Sequence, residues 1–220
     1  IDVLPDVKGL YKAYSNWIKD VNQEVNPQLK AITDSLVQGV ESRNEKAKRI
    51  FYWVQNNIKY VAFEDGMGGF IPREASTVMQ KRYGDCKDMS SIITQMLKYA
   101  NVPAYLTWIG SRKLPYSYEE MPNLSVDNHM IASFLNDNND ITFLDAVGTY
   151  TPFGFSTSFI QGKQALIGIH PDSFVLKTVP IIPAKMNFSS DTVKLRIEND
   201  NFFTGTGTLK LSGYSKLNFV

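Results

Sequence analysis

The single cysteine of the chain, Cys86, lies where a glycine-containing turn leads into a helix, within Arg82-Tyr83-Gly84-Asp85-Cys86-Lys87-Asp88. From Met89 to Ala100, apolar residues recur at helical intervals, which predicts a helix with one buried face. Asp85 is the predicted N-cap, because its carboxylate can accept the free amide hydrogens of the first turn. Cys86 would then begin the helix, where the helix dipole favours a thiolate. The pattern indicates either a nucleophile or, as is common for a lone cysteine, a small buried apolar residue.

Composition narrows the class of protein. A chain of 220 residues fits one domain with a small addition, and its net charge of +1 argues against a nucleic-acid binder. No apolar run is long enough to predict a transmembrane helix. One cysteine excludes an internal disulfide, and with only two histidines it makes a structural zinc site a poor prediction. We predict no metal site and no cofactor. Because the chain starts at Ile1 and not at a methionine, we expect any targeting segment to have been removed already.

Three helices are predicted before residue 58. Apolar residues recur at helical spacing after Gly9 and again after the break at Pro27. The segment Ser42-Arg43-Asn44-Glu45 is a capping box, which predicts a third helix running to about Asn57. The apolar stripes of these helices are typical of packing against a core. Their members are Leu10, Tyr14, Trp17, Ile18 and Val21, then Leu29, Ile32, Leu36 and Val40, then Ala47, Ile50, Phe51, Val54 and Ile58.

A short strand, Lys59 to Phe63, and a glycine-containing loop that stops at Pro72 follow. Gly66, Gly68 and Gly69 do not form a dinucleotide-binding fingerprint, because Ile71 stands where the third glycine would be. We therefore predict a structural loop.

The second half of the chain is predicted to form strands. Pro103 leads into a strand from Ala104 to Ile109, and a polar loop from Ser111 to Asp127 is long enough to border a cleft. Two further strands, Asn128 to Leu135 and Ile141 to Val147, flank the turn Asn136-Asp137-Asn138-Asn139-Asp140, which indicates a hairpin. That acidic turn lacks the glycine and the distal glutamate of a calcium loop, so a solvated turn is predicted.

The hairpin suggests a partner for a histidine. If the turn centres on Asp137, His129 and Asp145 are directly opposed, with Cβ atoms about 4.5–5.5 Å apart, and a shift of one residue would break this pairing. Considered alone, His129 would be interpreted as a satisfied edge-strand histidine, and Asp145 as a strand-end cap or turn residue. Together with Cys86 they form a Cys-His-Asp nucleophilic set. His170 precedes Pro171 and is predicted to be a surface or turn residue.

These motifs resemble the bacterial transglutaminase-like superfamily, in particular transglutaminase cores that lie between two β-rich domains of unknown function. The resemblance covers roughly residues 10 to 150 and is carried by the segments that follow. They are Trp53 to Tyr60, Gly68-Gly69-Phe70-Ile71-Pro72, Tyr83-Gly84-Asp85-Cys86-Lys87-Asp88, Asn128-His129 and Phe143-Leu144-Asp145.

The resemblance implies an α+β, papain-like cysteine protease fold with N-terminal helices packed on an antiparallel sheet. It also implies a catalytic triad of Cys86, His129 and Asp145, a peptide or protein substrate, and a periplasmic or secreted location. A hydrolytic acyl transfer through a thioester is the preferred reaction. A non-catalytic peptide- or glycan-binding module and a cross-linking transglutaminase remain open, as does the oligomeric state.

The Cys86 backbone amide would help to bind the oxyanion. Gln80 is either a second oxyanion donor or, as we prefer, an exposed polar residue. Lys87 and Asp88 match the family motif and are expected to order the first helical turn, not to take part in chemistry.

Beyond Tyr150 the composition changes. Phe153, Phe155 and Phe159 lie in a stretch rich in threonine, serine and glycine that could cover the cleft. Three strands are predicted after Pro180, namely Thr192 to Glu198, Gly205 to Leu211 and Tyr214 to Val220. We therefore expect a transglutaminase-like domain over residues 1–180, with a helical lead-in at 1–41 and a core at about 42–150. Residues 181–220 are predicted to begin a further β domain.

Overall fold

The computed structural model describes residues 6–62, 65–199, 202–217 and 219. The chain divides between Pro180 and Ile181 into two compact units.

Five α-helices lie among the described residues of the first unit. They are α1 (Val7–Ile18), α2 (Pro27–Val37), α3 (Arg43–Asn57), α4 (Ala75–Lys81) and α5 (Cys86–Tyr99). The first three begin at side-chain caps, because Asp6, Asn26 and Ser42 each accept a hydrogen bond from a backbone amide in the first turn. The helices predicted from residue spacing and from the Ser42 capping motif are thus confirmed.

The described part of the same unit also contains seven strands. Two form a short parallel pair, β1 (Lys59–Tyr60) with β2 (Tyr83–Gly84). The other five are β3 (Ala104–Ile109), β4 (His129–Leu135), β5 (Ile141–Leu144), β6 (Gln164–His170) and β7 (Ser173–Thr178). They form one antiparallel sheet in the order β5-β4-β3-β6-β7. The molecule therefore has the predicted α+β architecture, with helices on an antiparallel sheet.

Helix α5 is the centre of the helical layer. Every side chain from Cys86 to Leu97 is buried, so the prediction of a single buried face is wrong. The reason is that α2, α3 and α4 cover α5 on one side while β3 and β4 cover it on the other. The main apolar core joins these elements through residues such as Ile50, Met96 and Phe134.

Helix α1 packs around a separate aromatic cluster. The Tyr14 ring stacks on Trp108 of β3 with 4.9 Å between ring centroids, and Tyr11 contacts the edge of the same indole. Leu166 of β6 and Met130 of β4 complete this cluster. The apolar stripe predicted from the sequence to face a core therefore does pack, and it packs on the three inner strands β4, β3 and β6.

Several predicted boundaries need correction. The strand predicted from Lys59 ends at Tyr60, and Phe63 lies outside the described residues. Helix α4 was not predicted: it has no side-chain cap at its start, and it ends at Arg82 in a left-handed conformation that usually favours glycine. The hairpin of β6 and β7 was also missed. His170 ends β6 and is exposed, as predicted for a surface residue.

The second unit is a hairpin of two long strands, β8 (Ser189–Asn199) and β9 (Phe202–Leu211), followed by the short helix α6 (Gly213–Leu217). The helix contradicts the strand predicted from Tyr214, whose predicted end at Val220 lies outside the described residues. Gly213 takes a left-handed conformation, and the amide of Tyr214 donates to the Asn187 side chain, so the chain turns away from β9 at this point. None of the helices in the described part of the chain has both the length and the apolar character that spanning a bilayer requires.

Candidate active site

Cys86 is the first residue of α5, and a pair of reciprocal side-chain caps holds the N-terminus of that helix. The Asp85 carboxylate accepts hydrogen bonds from the amides of Lys87 and Asp88, and the Asp88 carboxylate accepts one from the amide of Asp85. This reciprocal capping box fixes the backbone on both sides of Cys86. Only 4% of the Cys86 surface is exposed.

Two ion pairs, one of them fully buried, hold the cap in place. The Nζ atom of Lys87 lies 2.6 Å from Oδ2 of Asp85, and the Nη2 atom of Arg73 lies 2.6 Å from Oδ2 of Asp88. Arg73 also donates from its backbone amide to the same Asp88 side chain. Lys87 and Asp88 are therefore committed to the turn, in agreement with the ordering role expected for them.

Gly84 is required by close packing against the cap. A Cβ atom at this position would lie 2.5 Å from the Cβ atom of Asp88. The Gly84 carbonyl also accepts a hydrogen bond from Val61, and the Arg82 carbonyl accepts one from Lys59. The turn before the cysteine is therefore bound to the chain segment that leaves α3.

His129 begins β4, and its Nε2 lies 3.0 Å from Oδ2 of Asp145. The predicted register is wrong, because Leu135 pairs with Ile141 and the turn therefore centres on Asn138. Continuing this register places Asp145 opposite Ile131, two residues from His129 and on the same side of the sheet. The two side chains meet diagonally, because diagonal neighbours remain within reach of long side chains.

The charges of this pair stabilise each other. Burial by itself lowers the pKa of His129, but the Asp145 carboxylate and, to a smaller extent, the Cys86 side chain raise it to about 10. Burial by itself raises the pKa of Asp145, yet the His129 charge and the hydrogen bonds from Thr157 and Val147 hold it below its ordinary value. The imidazolium–carboxylate pair is therefore the favoured state near neutral pH.

The pair of His129 and Asp145 is also contacted by two residues from the segment that follows Tyr150, namely Thr157 and Phe159. Thr157 donates a 2.6 Å hydrogen bond to Asp145, and the Phe159 ring contacts the His129 ring at 5.0 Å between centroids. Phe153 packs instead against Phe51 and Phe134 in the main core. Sequence reasoning missed Thr157, and its only signal was its place in a polar stretch beside Phe159.

Two further expectations concern residues outside this pair. Gln80 is exposed on α4 and does not line the cavity at Cys86, so the interpretation as an exposed polar residue is the correct one. Within the described ranges, no group of three or more histidine, cysteine, aspartate or glutamate side chains is arranged to hold a metal ion.

A cavity of about 340 Å³ opens at Cys86 and His129. Its walls come from α1, from the 3₁₀ turn Gly66–Gly69, from β3 and from the residues before β4. Aromatic side chains dominate these walls, and the polar side chains include Asp127 and Asn128. A cleft of this volume with mainly apolar walls and a few polar groups has the character of a ligand-binding pocket.

Several solved structures are similar to this chain. A presumed protease from Parabacteroides distasonis aligns over 90% of this chain and 38% of its own, with a TM-score of 0.61 and 14% identity. A presumed cysteine protease from Cytophaga hutchinsonii aligns over 55% of this chain and 37% of its own, with a TM-score of 0.43 and 18% identity. LapG of Legionella pneumophila aligns over 67% of this chain and 76% of its own, with a TM-score of 0.41 and 15% identity.

The chain thus spans well under half the length of the first two of these proteins. At 14% identity, the likeness to the first shows the fold alone. None of the curated proteins matches the chain significantly. The family model of the transglutaminase-like superfamily matches residues 30–140, which is half of the sequence and includes Cys86 and His129. The chain therefore belongs to the transglutaminase-like superfamily.

Proposed function

We propose that this chain is a cysteine-dependent hydrolase of peptide or amide bonds that works through a thioester on Cys86. The observation that carries the proposal is the position of His129. Its side chain interacts with Cys86 and, through Nε2, with the buried carboxylate of Asp145. A nucleophile, a base and a residue that orients the base are the parts that acyl transfer requires.

The reaction has two halves. The Cys86 sulfur attacks the substrate carbonyl carbon, and the carbon–nitrogen bond then breaks as His129 donates a proton to the leaving amine. Water next attacks the thioester while His129 accepts its proton, which releases the acid and restores the thiolate. Asp145 keeps the ring oriented and stabilises the imidazolium in both halves.

The oxyanion needs a donor close to Cys86. The backbone amide of Cys86 lies at the start of α5, where helical geometry provides no acceptor for it. It donates to none of the described residues. We assign it the role of an oxyanion donor, since a backbone amide at a helix N-terminus is oriented before the reaction begins.

The deciding experiment compares the wild-type protein with Cys86→Ala on a mixed library of internally quenched fluorescent peptides. Hydrolysis by the wild type and its loss in the variant are the expected results, with circular dichroism showing that both proteins are folded. Turnover retained in Cys86→Ala would exclude the proposed mechanism.

Product analysis separates the alternatives. Cleaved peptides carrying a new carboxyl group support hydrolysis, whereas incorporation of added dansylcadaverine would indicate a cross-linking transglutaminase. Peptide binding that survives Cys86→Ala, without turnover in either protein, would indicate a non-catalytic binding module. A periplasmic or secreted location stays a prediction, to be tested by cell fractionation.

A further inference from the structure

Asp127 is a carboxylate in the wall of the Cys86 cavity that the proposed reaction does not use. Its Oδ2 accepts hydrogen bonds from the hydroxyls of Tyr14 and Tyr118, each at 2.8 Å. Among the residues that the structure describes, no lysine, arginine or histidine forms an ion pair with it. The Asp127 carboxylate thus accepts hydrogen bonds from two hydroxyl groups, but no described cationic side chain pairs with its negative charge.

The neighbouring cation is already paired. Lys87 lines the same cavity, but its ammonium group lies 2.6 Å from Asp85 and its side chain is buried against that partner. Freeing Lys87 to neutralise Asp127 would leave Asp85 buried and unpaired, which is strongly unfavourable. Asp127 therefore keeps an uncompensated negative charge in the wall of the cavity that Cys86 also lines.

Asp127 is ionised at neutral pH. Burial raises its pKa to about 6, although the hydrogen bonds from Tyr118 and Tyr14 oppose this effect. Burial and the Asp127 charge also raise the pKa of both tyrosines, so both hydroxyls keep the protons that they donate. A cation that entered the cavity would regain interaction energy that the carboxylate lost on burial.

The remaining walls suit a cation as well. Trp17, Trp108 and Phe70 line the cavity, and the Trp17 and Phe70 rings lie 5.3 Å apart between centroids. Aromatic faces attract ammonium groups, most strongly where water is excluded. A carboxylate in such surroundings is the usual chemistry for recognising an amine in its protonated form.

We propose that Asp127 and the surrounding aromatic residues bind a primary ammonium group of the peptide substrate, and so place the adjacent carbonyl at Cys86. The ammonium group belongs either to a lysine side chain or to a peptide N-terminus. This inference rests on the proposed hydrolytic function and names the substrate class of the same cleft. The bound amine is not the acyl acceptor, because a carboxylate that stabilises the ammonium form suppresses its nucleophilicity.

The first test measures the rates at which Cys86 reacts with two charged reagents, cationic 2-aminoethyl methanethiosulfonate and anionic 2-sulfonatoethyl methanethiosulfonate. Asp127→Asn keeps the shape of the side chain and removes its charge. We expect the cation-to-anion rate ratio to fall at least about fivefold in this variant. The matched control Asp34→Asn removes an exposed charge on α2 and should leave the ratio unchanged. An unchanged ratio in folded Asp127→Asn overturns the proposal.

A second test uses only the wild-type protein, so it does not depend on the folding of a variant. Neutral methyl methanethiosulfonate labels Cys86 in the presence of one of three protecting compounds. These are Nα-acetyl-lysine amide with a side-chain ammonium, alanine amide with an α-ammonium, and N-acetyl-norleucine amide with neither. Protection by one of the ammonium compounds supports the proposal and identifies the source of the amine. Equal protection by the neutral compound, or protection by none, overturns it.

The two proposals fail separately. Absence of peptide turnover, with cation preference and ammonium protection intact, would remove the hydrolytic function and leave the ammonium site. Turnover that depends on Cys86 but shows no preference for substrates with a nearby ammonium group, and is unchanged in Asp127→Asn, would remove the ammonium site and leave the hydrolase.

Discussion

The Thr157 hydroxyl donates a 2.6 Å hydrogen bond to Oδ2 of Asp145, the same oxygen that lies 3.0 Å from Nε2 of His129. The other oxygen of Asp145 lies 3.4 Å from the amide of Val147. The carboxylate is thus oriented from two sides, and Thr157 acts on Cys86 only through Asp145 and His129. We regard Thr157 as a positioning residue.

Thr157→Val removes this hydrogen bond with little change in side-chain volume. We expect the free energy of unfolding to fall by about 2 kcal/mol, the usual range for a hydrogen bond to a charged group. Because Asp145 loses one of the interactions that lower its pKa, the acidic limb of the pH profile for Cys86 alkylation should move to higher pH. Thr94→Val is the matched control, since the Thr94 hydroxyl is buried without a hydrogen-bond partner among the described residues. An equal effect of both variants on the profile would contradict the role given to Thr157.

Alkylation of Cys86 by iodoacetamide tests whether His129 activates the thiol. An ordinary thiol reacts slowly well below pH 8.5, because the thiolate is the reactive form. We expect the wild-type protein at pH 6 to react at least about tenfold faster than His129→Ala. His170→Ala, which changes an exposed histidine at the end of β6, should match the wild type. Equal rates in the wild type and His129→Ala would mean that the pair is not formed.

The stability of the fold should depend on pH through His129. Its pKa is raised from 6.5 to about 10 on folding, so its contribution is complete below pH 6.5 and is lost as the pH rises through about 10. The pKa of Asp145 is lowered, so its contribution is present above its ordinary value of 3.8 and is lost only in stronger acid. One proton changes the free energy of unfolding by at most about 1.4 kcal/mol per pH unit.

Asp145→Asn removes the partner that raises the pKa of His129. Between pH 6.5 and pH 10, urea denaturation should therefore show a shallower loss of stability in the variant than in the wild type. Other titrating groups are common to both proteins, so their effects cancel in the difference. Parallel stability curves across this range would contradict the assigned ion pair.

Gly84→Ala tests the close packing in the turn before Cys86. Its methyl group would lie 2.5 Å from the Cβ atom of Asp88, and relieving this overlap means shifting the capped turn. Thermal denaturation should show a loss of about 1–3 kcal/mol, the usual cost of overpacking. Gly68→Ala is the control, because among the described residues no atom beyond its chain neighbours lies within 4 Å of a Cβ atom there. Stability equal to that of the control would show that the turn adjusts freely.

The sequence predicted the parts of the structure that depend on local signals. Capping residues and helical spacing located α3 and α5, and alternating strands with a polar turn located β4 and β5. The register of that hairpin depends on which turn residues pair, and Asn138, not Asp137, proved to be its centre. The predicted strand ends, Leu135 and Ile141, are equally distant from Asn138, so the predicted strand bounds agree with the observed register and only the assumed centre of the turn was wrong.

Features that depend on tertiary contacts could not be predicted from the sequence. Helix α4 has no side-chain cap, and its stability comes from packing Val78 and Met79 into the core. Thr157 and Asp127 reach the site from loops. The partner of Thr157 lies 12 residues away, and those of Asp127 are Tyr118, nine residues away, and Tyr14 on α1. Such pairings involve residues with no periodic relation to each other, so spacing carries no information about them.

The order of strands in the sheet has a consequence for where this protein can be divided. The superfamily match ends at residue 140, before Asp145 and before β6, which pairs with β3 on the side away from β4. A fragment cut to residues 30–140 would keep Cys86 and His129 but lose the carboxylate that holds the imidazole. It would also expose the unpaired edge of β3, which invites aggregation. A fragment that keeps both Asp145 and the pairing of β3 with β6 therefore has to extend at least through β6, well beyond the segment that the family model matches.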